Sequence, residues 1–333
     1  MIALLLAGPF VLLFAGLPIY VILLAVSLLA LVISDAPAEV IQTTIFGSLD
    51  SFPLLAIPFF VLAGEIMGRG GIARRLVGWV VAIIGGVPGA LGLTTIASSE
   101  LFGAMSGSAV GCVAAVGRLM LPALRREGYG DRFASSLIAS SGAIAVIIPP
   151  SIPLIIYGAT AQQPVTQLFL AGVLPALLVG VLDGAYVVWH ARRAGIPLGA
   201  GFRWRTALSA TREAGWALVA PLVVFGGIYG GVFTPTEAAG VAVVYAALVS
   251  RYVYRDVSWG DLGRIAAESA LLIGQIMIII VAAGVYSWFL TTSGLPQRVV
   301  AAIAALGMGP LETLAAFNLL LLVVGSFLEP PAA

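Results

Sequence analysis

The sequence predicts an all-α, polytopic integral membrane protein, and three observations carry that expectation. Of 333 residues, 61% are hydrophobic and only 9% charged, against about 25% charged in a soluble domain. The apolar residues fall in charge-free runs long enough to be membrane helices rather than barrel strands. Two of those runs are then broken by residues that cannot continue a helix. The formal net charge of +1 argues against nucleic acid as a partner. One cysteine, Cys112, and one histidine, His190, exclude an internal disulfide and a Cys/His metal cluster.

The spans follow in order. Residues 1–34 carry no charge, so the basic start of a secretory signal is missing and the segment is expected to remain as a helix. At about 1.5 Å per residue the run would reach roughly 50 Å, against a hydrocarbon core of about 30 Å. Strong tilt, or bending at Pro9 and Pro18, is therefore expected. Further runs cover 76–99, 133–182, 214–236, 238–250, 269–297 and 313–328. The stretch 133–182 must hold two spans, divided near Gln162-Gln163-Pro164.

All 16 basic residues are arginine, and they cluster. Arg69, Arg74 and Arg75; Arg125, Arg126 and Arg132; Arg192, Arg193, Arg203, Arg205 and Arg212; and Arg251, Arg255 and Arg264 form four groups. By the positive-inside rule all four face the cytoplasm. The acidic connection holding Asp35, Glu39 and Asp50 faces outward. Parity then requires an even number of passes within 76–121, so 101–121 either returns across the membrane or is a re-entrant hairpin. The 191–213 segment reads as a cytoplasmic connector lying partly on the membrane surface.

Two places are unfit for plain spans. In Leu101–Gly111, Gly103, Gly107 and Gly111 recur every fourth residue. Tight helix packing explains such a ridge; so does a hairpin tip at Ser106-Gly107-Ser108, where a glycine free to take unusual backbone angles sits between two hydroxyls. The second place is Ile147-Ile148-Pro149-Pro150-Ser151-Ile152-Pro153. Three prolines in five residues remove three donors and rupture a helix. In hydrocarbon the freed carbonyls need protein, water or an ion, and broken helices at mid-membrane mark transporter sites. No carboxylate lies between Glu100 and Glu127 or between Asp131 and Asp183. The oxygens offered are thus hydroxyls and carbonyls, which suit an alkali cation such as Na⁺; the alternative is that both breaks only let helices pack.

Single residues have plainer readings. Thr234-Pro235-Thr236-Glu237 is a capping box. Glu65 pairs with Arg69 at helical spacing, Glu100 closes or caps the neck of the first hairpin, and Cys112 is a small buried filler. Arg118 is a candidate partner for a substrate carboxylate or a membrane-surface anchor. An intramembrane serine protease built on Ser106 would need a base within reach, and His190 sits at a membrane edge.

Ser51–Gly64, Phe102–Gly117, Ile147–Pro153 with Tyr157-Gly158, and Gly231–Ala239 together resemble the large membrane subunit of tripartite ATP-independent periplasmic (TRAP) transporters, in the expected order along the chain. The resemblance implies an elevator-type secondary transporter of the bacterial or archaeal cytoplasmic membrane, built from inverted repeats. Residues 1–190 would form the first repeat, with hairpin 100–121 and broken helix 133–158; 191–213 the connector; and 214–333 a second, incomplete repeat. It implies sodium-coupled uptake of an organic acid with a periplasmic substrate-binding protein and a small membrane subunit, without an enzymatic reaction or an organic cofactor. Carried over, the cation site comprises Ser106, Gly107, Ser108, Ala145, Ile148 and Pro150 around Na⁺, with Ser151 and Arg118 as substrate-site candidates. The chain departs from the family at Ala145-Val146, where Gly-Pro is usual, and at Gly111-Cys112, where Ala-Asp is common. Gly325–Ala333 resembles the start of a second hairpin, so the chain is expected to be truncated there, and a non-transporting fragment or a channel-like protein are the alternatives.

Overall fold

The computed structural model describes residues 2–326 apart from 38, 199 and 200. Within these, the regular structure is helical throughout, with no strand. In chain order the helices are α1 (Ile2–Phe14), α2 (Ile19–Ser34), α3 (Glu39–Leu49), α4 (Ala56–Arg69), α5 (Ile72–Ile84), α6 (Ala90–Ser106), α7 (Ala109–Arg126), α8 (Asp131–Ile144), α9 (Ile152–Thr160), α10 (Val165–Ala194), α11 (Trp204–Tyr229), α12 (Pro235–Leu248), α13 (Trp259–Thr292), α14 (Leu295–Ala305) and α15 (Pro310–Gly325). Phe52–Arg69, Val165–Ala194, Trp204–Tyr229 and Trp259–Thr292 are each long and apolar enough to cross a bilayer.

Two compact units are present: residues 1–51 with 274–333, and residues 52–273. In the first, the apolar run 1–34 is not one bent or tilted helix. It folds back between Phe14 and Ile19 through Gly16 at φ +80°, and Pro18 stands immediately ahead of α2. A Cβ added at Gly8 would touch Val26 at 3.1 Å, and Leu5, Val26, Ala30, Val285 and Phe289 share one buried cluster. The positive-φ glycine permits the reversal, and a core built from both arms holds it.

The second unit carries the site. The run 76–99 is likewise not one span. It divides at Gly85–Gly89, with φ +92° at Gly86 and +80° at Gly89. At 13 residues, α5 is about 20 Å long, too short to cross about 30 Å of hydrocarbon. Both of its ends meet arginine-bearing segments. At the start, Asp256 accepts from Arg74 and Arg75, and the Arg75 guanidinium lies 3.7 Å from the centre of the Tyr254 ring. At the far end, Gly86 abuts Gly201 and Phe202, and Gly89 abuts Val187 and Ala191 just ahead of Arg192. α5 therefore links two arginine-bearing segments and is too short to span the hydrocarbon by itself.

From there α6 descends and α7 returns, 17 and 18 residues long, joined only by Gly107 and Ser108. α6 packs along α10: Gly92 meets Val187, and Gly184 meets Leu93. α7 ends at Arg125 and Arg126, with Arg125 Nε 2.7 Å from Asp131 of α8. α8 then re-enters, breaks after Ile144, and resumes as α9, nine residues that reach about 14 Å further. The division before α10 falls at Gln162–Pro164, as the sequence indicates.

Candidate cation and substrate site at the hairpin tip

The tip of the α6–α7 hairpin lies against the α8–α9 break. Ile152 N–H donates to the Gly107 carbonyl at 3.4 Å. A Cβ at Gly107 would stand 2.6 Å from the Pro150 oxygen, and one at Gly103 would stand 2.6 Å from Ala145 Cα. Both glycines are thus dictated by close approach, and Gly107 also sits at φ +61°. Gly111 meets only Ser108, at 3.5 Å. Two of the three ridge glycines therefore serve the junction and the third does not. The tip stops at the break while α9 continues beyond it, the arrangement expected of a re-entrant hairpin.

Four helix ends converge here. α6 and α8 bring their C-termini and α7 and α9 their N-termini, so carbonyl-rich negative ends and N–H-rich positive ends share one locus. Ser108 caps α7 by accepting from Gly111 N–H at 3.2 Å. Ser151 caps α9 by accepting from Leu154 N–H at 3.3 Å, and donates to the Val146 carbonyl. Ser106 differs: it is 1% exposed, and its hydroxyl has no partner among the described residues. Among the hydrogen bonds of the described residues, none ends on the carbonyls of Ala145, Ile148, Pro149 or Pro150. Buried oxygens normally find partners, so this cluster of uncharged, unpaired oxygens fits the chemistry of an alkali cation.

Of the residues singled out from sequence, Ser106, Gly107, Ser108, Ala145, Pro150 and Ser151 belong to this junction. Ile148 lies in the break, where its N–H donates to the Ile144 carbonyl at 3.2 Å, and it lines an apolar cavity with Pro149. Arg118 is exposed on α7, ten residues past Ser108, and donates to the Ala114 carbonyl at 3.0 Å; the structure does not bring it to the junction. Gly64 of α4 was not singled out. A Cβ there would stand 2.6 Å from Ser106 Cβ, so α4 closes over the tip. Nothing local separates it from Gly68, Ala56 or Ala63 on the same helix.

The plainer readings are also resolved. Thr234 and Glu237 form the capping box, Glu65 pairs with Arg69, and Cys112 is buried with its Sγ 3.5 Å from the Ser99 carbonyl. Glu100 does not close the hairpin neck. It stands midway along α6 with its carboxylate against Gly180 of α10, because α6 begins ten residues earlier than the hairpin read from sequence. Asp183 accepts from Ser140 at 2.7 Å.

Residues 6–333 match the family described as the tripartite ATP-independent periplasmic transporter, DctM component. The chain belongs to this family. Among TRAP relatives, it is 37% identical over 320 residues to the isethionate TRAP transporter permease protein DctMQ of Oleidesulfovibrio alaskensis, covering 96% of this chain and 50% of that protein. It is 37% identical over 306 residues to the C4-dicarboxylate TRAP transporter large permease protein DctM of Pseudomonas aeruginosa, covering 92% and 72%. Against the 2,3-diketo-L-gulonate TRAP transporter large permease protein YiaN of Escherichia coli the identity is 35% over 315 residues, covering 94% and 74%. The chain thus spans half the length of the first relative and about three quarters of the other two. These TRAP relatives are permease proteins and not enzymes, and TRAP membership makes this chain an integral membrane protein. The Gly325–Ala333 segment, likened to the start of a second hairpin, lies outside the described residues from 327 onward.

Proposed function

We propose that the chain is the large membrane subunit of a TRAP transporter that takes up an organic acid across the cytoplasmic membrane, driven by sodium. A periplasmic substrate-binding protein delivers the substrate, and a small membrane subunit completes the complex. The observation that carries the reading is the unpaired Ser106 hydroxyl at the meeting of the hairpin tip with carbonyls that accept no hydrogen bond. Ser106 Oγ and the Ala145, Ile148 and Pro150 carbonyls supply oxygens to Na⁺, Gly107 lets the tip come close, and Ser108 and Ser151 fix the two helix starts. The N-termini of α7 and α9 favour a carboxylate beside the cation, with Ser151 nearest to it. The relatives' substrates (isethionate, C4-dicarboxylates, 2,3-diketo-L-gulonate) support an organic acid as the transported class. The elevator reading, with repeats 1–190 and 214–333 about the 191–213 connector, follows from the family resemblance and suits a re-entrant hairpin.

Uptake into proteoliposomes holding the complete complex and its binding protein tests the proposal. Uptake is expected under an inward sodium gradient and not under an equal potassium gradient. Equal rates in the two gradients reject sodium coupling.

A further inference from the structure

Two contiguous cavities of about 610 and 570 Å³ share Ile83, Ile84, Ala97 and Glu100 as walls. Together they form a groove bounded by α5, α6, α10 and α11. At one end lie Val87 and Phe202, beside the arginine-bearing connector; at the other lie Pro149 and Val173, near the break. Along α6 the groove extends from Leu93 to Ala104, about 16 Å at 1.5 Å per residue. That is close to half of the roughly 30 Å hydrocarbon thickness, and so to the depth of one leaflet.

The lining selects the occupant. Glu100 is the one charged side chain on either wall, so the groove repels an organic acid. The rest is almost wholly hydrocarbon, which holds water poorly. At the mouth, Arg203 and Arg205 follow Phe202; both are exposed and neither enters an ion pair among the described residues. Trp204 between them is 70% exposed, as in the aromatic belts found at headgroup level. An apolar slot one leaflet deep, with cations and an indole at its mouth, has the shape and charge order of a phospholipid.

We propose that the groove holds one acyl chain of a phospholipid drawn from the surrounding bilayer, whose anionic headgroup is held by Arg203 and Arg205. The chain fills the space between α5 and α11 on one side and α6 and α10 on the other, keeping water from a path that leads from the arginine-bearing face toward Pro149.

Native mass spectrometry of the complete complex tests this, with dioleoyl phosphatidylglycerol and dioleoyl phosphatidylcholine as the added probes. One phosphatidylglycerol is expected to survive delipidation on the unaltered protein, with at least tenfold preference over phosphatidylcholine. Ala97→Trp, which fills the shared wall, is expected to abolish retention, and Leu182→Trp, on the exposed side of α10, to leave it unchanged. Arg203→Glu with Arg205→Glu is expected to erase the preference for the anionic lipid. Retention by Ala97→Trp equal to the unaltered protein overturns the proposal, as does the absence of any retained lipid. Loss of retention in Leu182→Trp as severe as in Ala97→Trp overturns it too. Equal retention of the two lipids by the unaltered protein overturns the headgroup assignment. Melting curves establish that each variant is folded, and Ile83→Trp on the opposite wall takes the place of Ala97→Trp if that variant does not fold.

Discussion

Gly107→Ala probes the junction most directly. Gly107 holds φ +61°, where an L-residue other than glycine costs roughly 1–2 kcal/mol. Its new Cβ would also stand 2.6 Å from the Pro150 oxygen, so tip and break must part until the contact is ordinary. The backbone strain is present with or without a cation, but the clash is not: the tip avoids it by moving away when no cation draws the two sides together and has to meet it to close the oxygen cage, at about 1–2 kcal/mol, within the range for overpacking. A difference of 1–2 kcal/mol is a factor of roughly 5–30 in an equilibrium constant. The sodium concentration giving half-maximal uptake is therefore expected to rise about 5- to 30-fold. Gly111→Ala is the control: its nearest neighbours are Ser108 atoms at 3.5 Å, and its midpoint is expected to stay within about twofold, as surface changes usually stay within ±0.5 kcal/mol. Sodium titrations of uptake in proteoliposomes, with melting temperatures in sodium and potassium, read both. An unchanged midpoint for Gly107→Ala, or an equal shift for Gly111→Ala, refutes the reasoning.

Ser106→Ala removes a buried hydroxyl whose solitude costs about 1–3 kcal/mol, so its melting temperature in potassium is expected to hold or rise while the stabilisation conferred by sodium disappears; Ser108→Ala loses the α7 cap and is expected to melt lower in both salts, by about 1 kcal/mol. Gly180→Ala displaces the flexible end of Glu100 rather than backbone and is expected to change thermal stability by less than about 1 kcal/mol, the helix gain of alanine over glycine offsetting the shift, whereas Gly215→Ala, with nothing within 4 Å, is expected to stabilise by roughly 0.5–1 kcal/mol. Burial pushes the Tyr254 phenol above its usual value. Its hydroxyl accepts from Ala217 N–H at 2.9 Å and donates to the Glu213 carbonyl at 3.3 Å. The stability it contributes is fully present below pH about 10 and is lost as the pH rises through its raised value; Tyr254→Phe is expected to flatten that alkaline decline in thermal melts.

What was legible in the sequence follows from the range of the forces involved. The rupture at Pro149–Pro153 is local covalent chemistry, and its three prolines announce it. The capping box at Thr234–Glu237 and the Glu65–Arg69 pair are equally local, and both stand as read. The two reversals within apolar runs were hidden because hydropathy cannot tell a helix from a turn made of apolar residues. Ala15-Gly16-Leu17 and Gly85-Gly86-Val87 contain no polar side chain to mark them. The marks they do carry are glycine and proline, Gly16 ahead of Pro18 and Gly85-Gly86-Val87-Pro88-Gly89, and the positive angles at Gly16 and Gly86 are what turn a bend into a reversal.

The glycine ridge on α6 and α7 shows where local pattern stops deciding. Gly103, Gly107 and Gly111 look equivalent by spacing, yet Gly103 is fixed by Ala145 and Gly107 by Pro150, each about forty residues onward, while Gly111 faces only its own cap. Nothing within the ridge says which face a second segment will press. The same holds for Glu100, whose position is explained by Gly180, eighty residues away. A carboxylate with no visible partner reads as an end or a neck until the helix opposite it is known. Apart from the family resemblance, the pairing of tip with break was open to sequence only as a need: orphan carbonyls before Pro150 had to meet something. Those the structure places meet different elements: Val146 accepts from Ser151, Ile147 presses on Gly172 of α10, and the Pro150 oxygen faces Gly107.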